Sequence, residues 1–273
     1  MPATCDVLVI GVASLDVLHL IGQTVSAPGG AGLYTALAAQ RAGAHAGLFA
    51  PRPEPLPDPL KPAADRLIWI GPAVSPDRLP RLEIAHHGGG RATLIDAAWG
   101  AESALTPDLL PPDLLGASIV HVAALSTAER QLRFAQACRA RGAARISAGI
   151  YARSIMAEPD QARALFEAVD LFFMNENEAH LLFGSIDAAR TRSGHTLFVT
   201  LGAQGALVIE GDGVTHIPGR PAHELDPTGA GDTLCGTVLA GLARGEDAVI
   251  AAQAGIALAA EMIGEIGPAR LLR

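Results

Sequence analysis

Residues 226–233 combine residue types that could stabilise and transfer a phosphoryl group. They read Asp-Pro-Thr-Gly-Ala-Gly-Asp-Thr and precede small apolar residues that predict a helix over 229–243. Gly229 and Gly231 lack a Cβ atom, so the backbone can come close to a ligand. The first turn of a helix has free N–H groups and the positive end of the helix dipole. The amides of residues 229–232, including that of Ala230, therefore predict an anion hole.

Asp232 follows these glycines in the first turn of the predicted helix. A carboxylate at this place can accept the proton of an attacking hydroxyl group. Phosphoryl transfer depends mainly on positioning and charge stabilisation, so one such carboxylate is sufficient. The structural alternative is a Gly-rich turn with an acidic cap. The complete string before a long helix favours the catalytic interpretation, with Asp232 as the base.

The composition indicates a globular protein and excludes several classes of function. The 273 residues are 49% hydrophobic and 18% charged, and the net charge is -8. A negative protein is not expected to bind nucleic acid or an anionic membrane through its overall charge. We predict no membrane-spanning segment, signal peptide or disulfide, because apolar runs are short, the N-terminal residues lead directly into a strand, and the cysteines are dispersed. A cytoplasmic location is the expectation.

Predicted strands and helices alternate, which is typical of a mostly parallel sheet covered on both faces. Residues 12–28 and 82–96 interrupt this alternation, and we interpret them as a small layer of additional strands. The predicted strands cover residues 5–11, 46–50, 67–71, 118–123, 145–150, 170–174, 195–201, 204–209 and 213–217; the predicted helices cover 33–43, 127–141, 159–168, 176–183, 229–243 and 246–263.

The segment 226–233 resembles the signature of the ribokinase family, the phosphofructokinase-B-like carbohydrate kinases. The resemblance extends over nearly the whole chain, because other family landmarks follow in the expected order. It implies one α/β domain of three layers over residues 1–273, with the segments 12–28 and 82–96 forming a β lid. It also implies ATP and Mg²⁺ as cofactors and a small molecule with a hydroxyl group as the acceptor. K⁺ is a further candidate cofactor, and a homodimer through the lid is a candidate assembly.

Further site residues are implied by the same resemblance. Asp16 resembles the early aspartate that binds substrate hydroxyls, and Gly29 and Gly30 resemble the double glycine beside the substrate. Asn175 and Glu178 match an Asn-x-x-Glu motif that organises Mg²⁺, with Glu178 acting through water molecules. The remaining candidates are on the nucleotide side: Thr200, Gly202, Gly205 and Thr228. Each also has a structural interpretation, such as a helix cap for Asn175 and Glu178 or a tight turn for the glycines.

The chain departs from the family pattern on the substrate side. Tyr34 takes the place of an asparagine that usually follows the double glycine. Residues 149–153 read Gly-Ile-Tyr-Ala-Arg, where the family often has Asp-x-Asn-x-Arg, so that only Arg153 remains. We include Tyr34 and Arg153 among the substrate-binding candidates. A tyrosine offers a large apolar face and one hydroxyl, which makes a nucleoside a more attractive acceptor than a simple sugar. An inositol or another polyol is the further alternative.

Other interpretations are weaker. The substrate-side departures leave open a non-catalytic protein that binds a nucleotide or metabolite on the same fold. A dinucleotide-binding dehydrogenase and a Walker-type NTPase are excluded, because neither glycine-rich motif is present. His86 and His87 are interpreted as residues of a lid turn and not as metal ligands, because neighbouring strand residues face opposite sides. His121, inside an apolar strand, is expected to be a core residue.

Overall fold

The protein is described by a computed structural model that covers residues 4–89 and 91–273. Its strands in chain order are β1 (Val7–Ile10), β2 (Ser14–Leu20), β3 (Gln23–Gly29), β4 (Ala46–Phe49), β5 (Arg52–Pro53), β6 (Ile68–Ile70), β7 (Ala73–Val74), β8 (Arg81–Gly88), β9 (Arg91–Ala98), β10 (Ile119–Val122), β11 (Arg145–Gly149), β12 (Leu171–Asn175), β13 (Thr196–Thr200), β14 (Gly205–Glu210) and β15 (Gly213–Pro218). Its helices are α1 (Ala31–Arg41), α2 (Lys61–Ala64), α3 (Ala128–Ala140), α4 (Ala152–Ala157), α5 (Pro159–Ala168), α6 (Glu176–Phe183), α7 (Ala230–Ala243) and α8 (Ala248–Met262).

The main sheet has nine strands in the order β15-β14-β13-β12-β11-β10-β1-β4-β6. In this spatial order, every pair of neighbouring strands between β13 and β6 is parallel. Strands β14 and β15 extend the sheet at one edge as antiparallel strands. Neighbouring residues of β1 belong to different cores. Val7 and Val9 pack with α1, α7 and α8, whereas Leu8 and Ile10 pack with α3, α5 and α6. The strand is therefore buried on both faces, which confirms the predicted three-layer α/β/α arrangement.

A second, four-stranded sheet has the order β3-β2-β8-β9. It unites the two segments that the sequence analysis set apart. Strand β2 alternates buried and half-buried residues, as expected for a sheet with one face on the core. Its pairing with β8 is parallel, so the connection between these strands passes through the main domain.

The interpretation of His86 and His87 as turn residues is wrong. Both lie in β8, which pairs with β9 as far as Gly88 opposite Arg91. The short elements β5, α2 and α4 were not predicted from the sequence. Their shortness makes α2 and α4 hard to detect from periodicity.

The remaining features of the core agree with the sequence. Cys5, Cys138 and Cys235 are buried and free. His121 is buried, and its Nδ1 atom lies 2.9 Å from the Ser147 hydroxyl. Among residues 4–89 and 91–273, no helix is long and apolar enough to cross a membrane.

Candidate active site

The glycine-rich turn before α7 is closed by two backbone hydrogen bonds. Gly229 caps the helix with a φ of 78°, in the left-handed region that glycine adopts without strain. Ala230 N donates to Pro227 O at 3.2 Å, and Thr233 N donates to Gly229 O at 2.8 Å. In the described part of the chain, the amides of Gly229, Gly231 and Asp232 have no hydrogen-bond partner. Of the four amides predicted to form the anion hole, that of Ala230 is used to close the turn. The other three are available to an anion.

The carboxyl group of Asp232 is placed beside these amides by the first turn of α7. Burial, and to a lesser extent the negative charge of Glu178, raise the pKa of Asp232 from 3.8 to about 7. A carboxylate with a pKa near neutrality can take up a proton from a hydroxyl group and release it again. This combination of perturbed acidity and adjacent free amides is characteristic of catalytic sites.

Asp16 lies in β2 of the second sheet and is 1% exposed. Its Oδ1 atom accepts a hydrogen bond from Leu82 N of β8 at 2.9 Å. Burial raises the pKa of Asp16 to about 6; the Leu82 hydrogen bond opposes this shift, and the charge of Asp226 adds to it. Its partner in the sequence motif, Gly29, ends the neighbouring strand β3 and lies against the same carboxylate.

Asp226 was not assigned a role from the sequence, yet it determines the shape of the glycine-rich turn. Its carboxylate is fully buried; Oδ1 accepts from Thr228 N at 3.0 Å, and Oδ2 accepts from Gly267 N at 2.8 Å. An Asp that bonds the amide two residues on is a common turn device, and the Asp-Pro-Thr-Gly order was the available signal.

Both tyrosines of the chain lie near the acidic groups. Tyr34 in α1 is 1% exposed, and its ring packs against Gly229 so closely that a Cβ atom there would lie 2.4 Å away. Within the described residues, its hydroxyl has no hydrogen-bond partner. Burial raises the pKa of Tyr34 well above its usual range, and the charges of Asp226, Asp16 and Asp232 add to the shift.

Tyr151 precedes α4, and its pKa is also raised by burial and then by the surrounding carboxylates. Its ring centroid is 6.1 Å from that of Trp99, which the sequence analysis did not select. Arg153 lies over the Trp99 ring at 4.2 Å and donates to Ser126 O at 2.8 Å. Arg153, a predicted candidate, therefore stacks on a pair of aromatic rings formed by Trp99 and Tyr151.

Asn175 and Glu178 form a reciprocal capping box at the start of α6. Asn175 Oδ1 accepts from Glu178 N at 2.9 Å, and Glu178 Oε2 accepts from Asn175 N at 2.7 Å. The structural interpretation of this motif is thus realised. Burial raises the pKa of Glu178 to about 7, although hydrogen bonds from Asn175 and Ala152 oppose the shift. The pair Glu178 and Asp232 is an acidic environment that a nearby cation would stabilise.

The donor set fits a magnesium ion that keeps most of its water molecules. In the described ranges, no group of three or more His, Cys, Asp or Glu side chains could hold a metal ion alone. Mg²⁺ commonly uses one or two carboxylates together with waters and substrate phosphates. Glu178 and Asp232 meet this requirement only in combination with a phosphorylated ligand.

Three of the nucleotide-side candidates lie where β13 ends in the main sheet, whereas Thr228 lies in the turn before α7. Thr200 at the end of β13 is the register partner of Asn175 at the end of β12. Gly202 and Gly205 form the tight turn to β14. A Cβ atom on Gly205 would come within 2.0 Å of Ile217 O, so packing alone requires glycine there.

Comparison with known proteins agrees with this arrangement. Residues 73–272 match the pfkB family carbohydrate kinase. The cytidine kinase of Thermococcus kodakarensis is 28% identical over 274 residues, covering 96% of this chain and 97% of that protein. A probable sugar kinase from Rhizobium etli CFN 42 has a TM-score of 0.81 at 20% identity, covering 97% of this chain and 95% of that chain.

The nucleoside kinase of Methanocaldococcus jannaschii, an archaeal member of the ribokinase family, has a TM-score of 0.75 at 21% identity and covers 97% of this chain and 94% of that chain. These likenesses confirm the ribokinase-like fold. The family match includes the glycine-rich turn, Asp232 and the Asn175–Glu178 capping box. The chain therefore belongs to the pfkB family of carbohydrate kinases, enzymes that transfer a phosphoryl group to a hydroxyl.

Proposed function

We propose that this protein is an ATP-dependent kinase that phosphorylates a hydroxyl group of a small molecule, with a nucleoside as the favoured acceptor. One observation carries the proposal: Asp232, with a pKa near 7, lies beside the unpartnered amides of Gly229 and Gly231. A base and an anion hole in contact with each other are the two elements that phosphoryl transfer requires.

In the proposed reaction, the acceptor hydroxyl gives its proton to the Asp232 carboxylate as its oxygen bonds to the γ-phosphorus of ATP. The bond from that phosphorus to the bridging oxygen breaks, and ADP leaves with the electron pair. The free amides of the turn stabilise the charge on the transferring phosphoryl oxygens. Bound Mg²⁺ would supply additional charge neutralisation, held through waters by Glu178.

Asp16 orients the acceptor in this scheme, because a buried carboxylate can accept further hydrogen bonds besides the one from Leu82 N. The second sheet acts as the lid and excludes water from the reacting atoms. Thr200, Gly202, Gly205 and Thr228 lie on the nucleotide side.

The preference for a nucleoside rests on the rings around the acceptor side. Tyr34 places a buried phenol where the family usually has an asparagine. Tyr151 and Trp99 are only partly buried and supply the aromatic surface. A flat heterocyclic base packs well on such surfaces, whereas a sugar offers only hydroxyl groups. The relative from Thermococcus kodakarensis, named a cytidine kinase and aligned over nearly its full length, supports the same choice.

The test is ATP consumption with Mg²⁺ against nucleosides, pentoses, hexoses, sugar acids and inositols. We expect acceptor-dependent ADP formation, greatest with a nucleoside. In the Asp232→Asn variant, kcat should fall by about 10²–10⁴-fold, which is the usual contribution of a general base, with ATP affinity retained. Full activity of this variant would refute the assignment of the base. ATP binding without turnover on any acceptor would support a non-catalytic binding protein instead.

A further inference from the structure

His86 connects the second sheet to the glycine-rich turn. It is 9% exposed and extends from β8 to residues 142 positions further along the chain. Its Nε2 atom lies 2.9 Å from Thr228 Oγ1 and 3.6 Å from Asp226 Oδ1. In the residues that the structure describes, its Nδ1 atom is buried without a hydrogen-bond partner. Within the described residues, both close polar contacts of the ring therefore go to the turn that leads into α7.

The surroundings determine which ring nitrogen carries the proton. Asp226 is an acceptor on the Nε2 side, and a bare lone pair on Nε2 would face its carboxylate oxygen at 3.6 Å. A hydrogen on Nε2 converts this repulsion into an attraction. Burial also lowers the pKa of His86 against the opposing charges of Asp226 and Glu224, which favours a neutral ring with its one hydrogen on Nε2. Nε2 is thus the donor and Thr228 Oγ1 the acceptor of the short contact.

The direction of this hydrogen bond leaves the Thr228 proton available. A hydroxyl group has one hydrogen and two lone pairs, and one lone pair is occupied by the imidazole N–H. The Thr228 hydroxyl can then donate to an anion at the neighbouring residues 229–232. Without His86, the same hydroxyl could turn its proton toward the Asp226 carboxylate, the strongest acceptor nearby.

We propose that His86 is a positioning residue of the kinase site: its Nε2–H group holds the Thr228 hydroxyl so that this hydroxyl donates to a phosphoryl oxygen of the nucleotide. The inference rests on the proposed function and extends it. The same strand also orients the acceptor side, because Leu82 N donates to Asp16. Strand β8 thereby aligns both reactants, although it supplies no group that touches the transferred atoms.

The experiment measures the Kd for ATP·Mg²⁺ by calorimetry and, separately, kcat and acceptor KM for matched variants. His86→Leu removes the donor, and His86→Gln offers an amide N–H at a similar distance from Cα. His87→Ala is the control, since His87 lies on the opposite side of β8, is exposed, and contacts Thr93 Oγ1 at 2.9 Å. Thr228→Val removes the hydroxyl with little change in shape.

We expect His86→Leu and Thr228→Val each to weaken ATP binding by about 10-fold, as for loss of one hydrogen bond to a charged group. The double variant should bind no more weakly than either single variant, because both changes remove the same interaction. His86→Gln should restore most of the affinity, and acceptor KM should change little. If His86→Leu does not fold, His86→Asn takes its place: its side chain is too short to reach Thr228, so it should weaken ATP binding as Thr228→Val does, whereas His86→Gln and Thr228→Ser should not.

Several outcomes would overturn the inference. Affinity loss in His86→Leu that adds fully to that of Thr228→Val would show independent roles. Unchanged ATP binding in both variants would show that the hydroxyl does not donate to the nucleotide. A wild-type protein that binds ATP but transfers no phosphoryl group would refute the proposed function only. The ATP affinities of the same variants would then still decide the role of His86. A wild-type protein that binds no nucleotide would overturn both.

Discussion

The carboxylate of Asp16 lies directly over the backbone of Gly29, so that a Cβ atom on Gly29 would come within 1.8 Å of Asp16 Oδ2. The two residues belong to the paired strands β2 and β3. No side chain larger than hydrogen can occupy position 29 while Asp16 keeps its place. The double glycine therefore makes room for a carboxylate, in addition to starting a helix.

Gly29→Ala should displace Asp16 and weaken acceptor binding selectively. We expect acceptor KM to rise by about 10-fold or more, since the displaced carboxylate loses at least one charged hydrogen bond to the acceptor. The Kd for ATP should change little, because the nearest atoms to a Cβ at position 29 belong to Asp16 and Ser14 of β2. Steady-state kinetics with varied acceptor and varied ATP separate the two effects.

Gly264→Ala is the matched control. A Cβ atom there would meet its nearest neighbours, Glu261 O and His223 O, at 3.4 and 3.5 Å, which are ordinary contacts. Equal effects of the two alanine substitutions on acceptor KM would contradict the role assigned to Gly29.

The pH dependence of the reaction should report Asp232. Its pKa is raised to about 7, so the carboxyl group is protonated below that pH and cannot accept a proton. We expect kcat/KM of the acceptor to rise with pH and to level off above about pH 7. Glu178→Gln should move this midpoint to lower pH, because it removes the negative charge that adds to the shift.

A pH–rate profile of the wild type and of Glu178→Gln tests this at saturating ATP·Mg²⁺ and, for comparison, at low ATP. The assignment would be incorrect if kcat/KM were flat between about pH 5 and pH 8, or if the substitution moved the midpoint upward.

Asp232→Asn should stabilise the folded protein while inactivating it. Because burial raises the folded-state pKa from 3.8 to about 7, the folded state binds the proton more tightly than the unfolded state between these values. The contribution of this group to stability is therefore present at low pH and is lost as pH rises through about 7. Neutral Asn removes the cost, and we expect a gain of about 1–3 kcal/mol at about pH 8.

The gain should shrink as the pH falls and disappear below about pH 3, where Asp232 is protonated in both states. Denaturant unfolding at the two pH values measures it. Asp65→Asn, at an exposed aspartate after α2, serves as the control and should show a much smaller change at either pH. A destabilised Asp232→Asn protein at high pH would argue against a desolvated carboxylate.

Tyr34→Phe should change acceptor binding without lowering the stability of the fold. The hydroxyl of Tyr34 is buried without a partner in the described part of the chain, so its removal should leave the free energy of unfolding unchanged or increased by about 1 kcal/mol. If the acceptor supplies the missing partner, acceptor KM should rise by about 10-fold in the same variant. Thermal unfolding and acceptor kinetics are the two measurements. Unchanged acceptor KM would exclude this hydroxyl from the acceptor site.

Local patterns in the sequence were sufficient to predict the layers of the fold and the position of the glycine-rich turn. Continuous apolar strands such as β1 can be buried only between two layers of helices, and the composition of residues 226–233 directly predicts a helix start with free amides. The roles of Asp16 and Glu178 came from resemblance, because a single carboxylate near a strand or helix end carries no chemical signal of its own.

Other features depend on contacts between residues distant in the chain, and no local pattern contains them. The approach of His86 to Thr228 requires the second sheet to be folded against the turn. The acidity of Asp232 depends first on its own burial and then on the charge of Glu178. The amide of Ala230 was expected in the anion hole but closes a turn that only the three-dimensional path of the backbone reveals. The sequence thus determined which chemical groups are available, whereas tertiary packing decided their neighbours, and with them their protonation and hydrogen-bond directions.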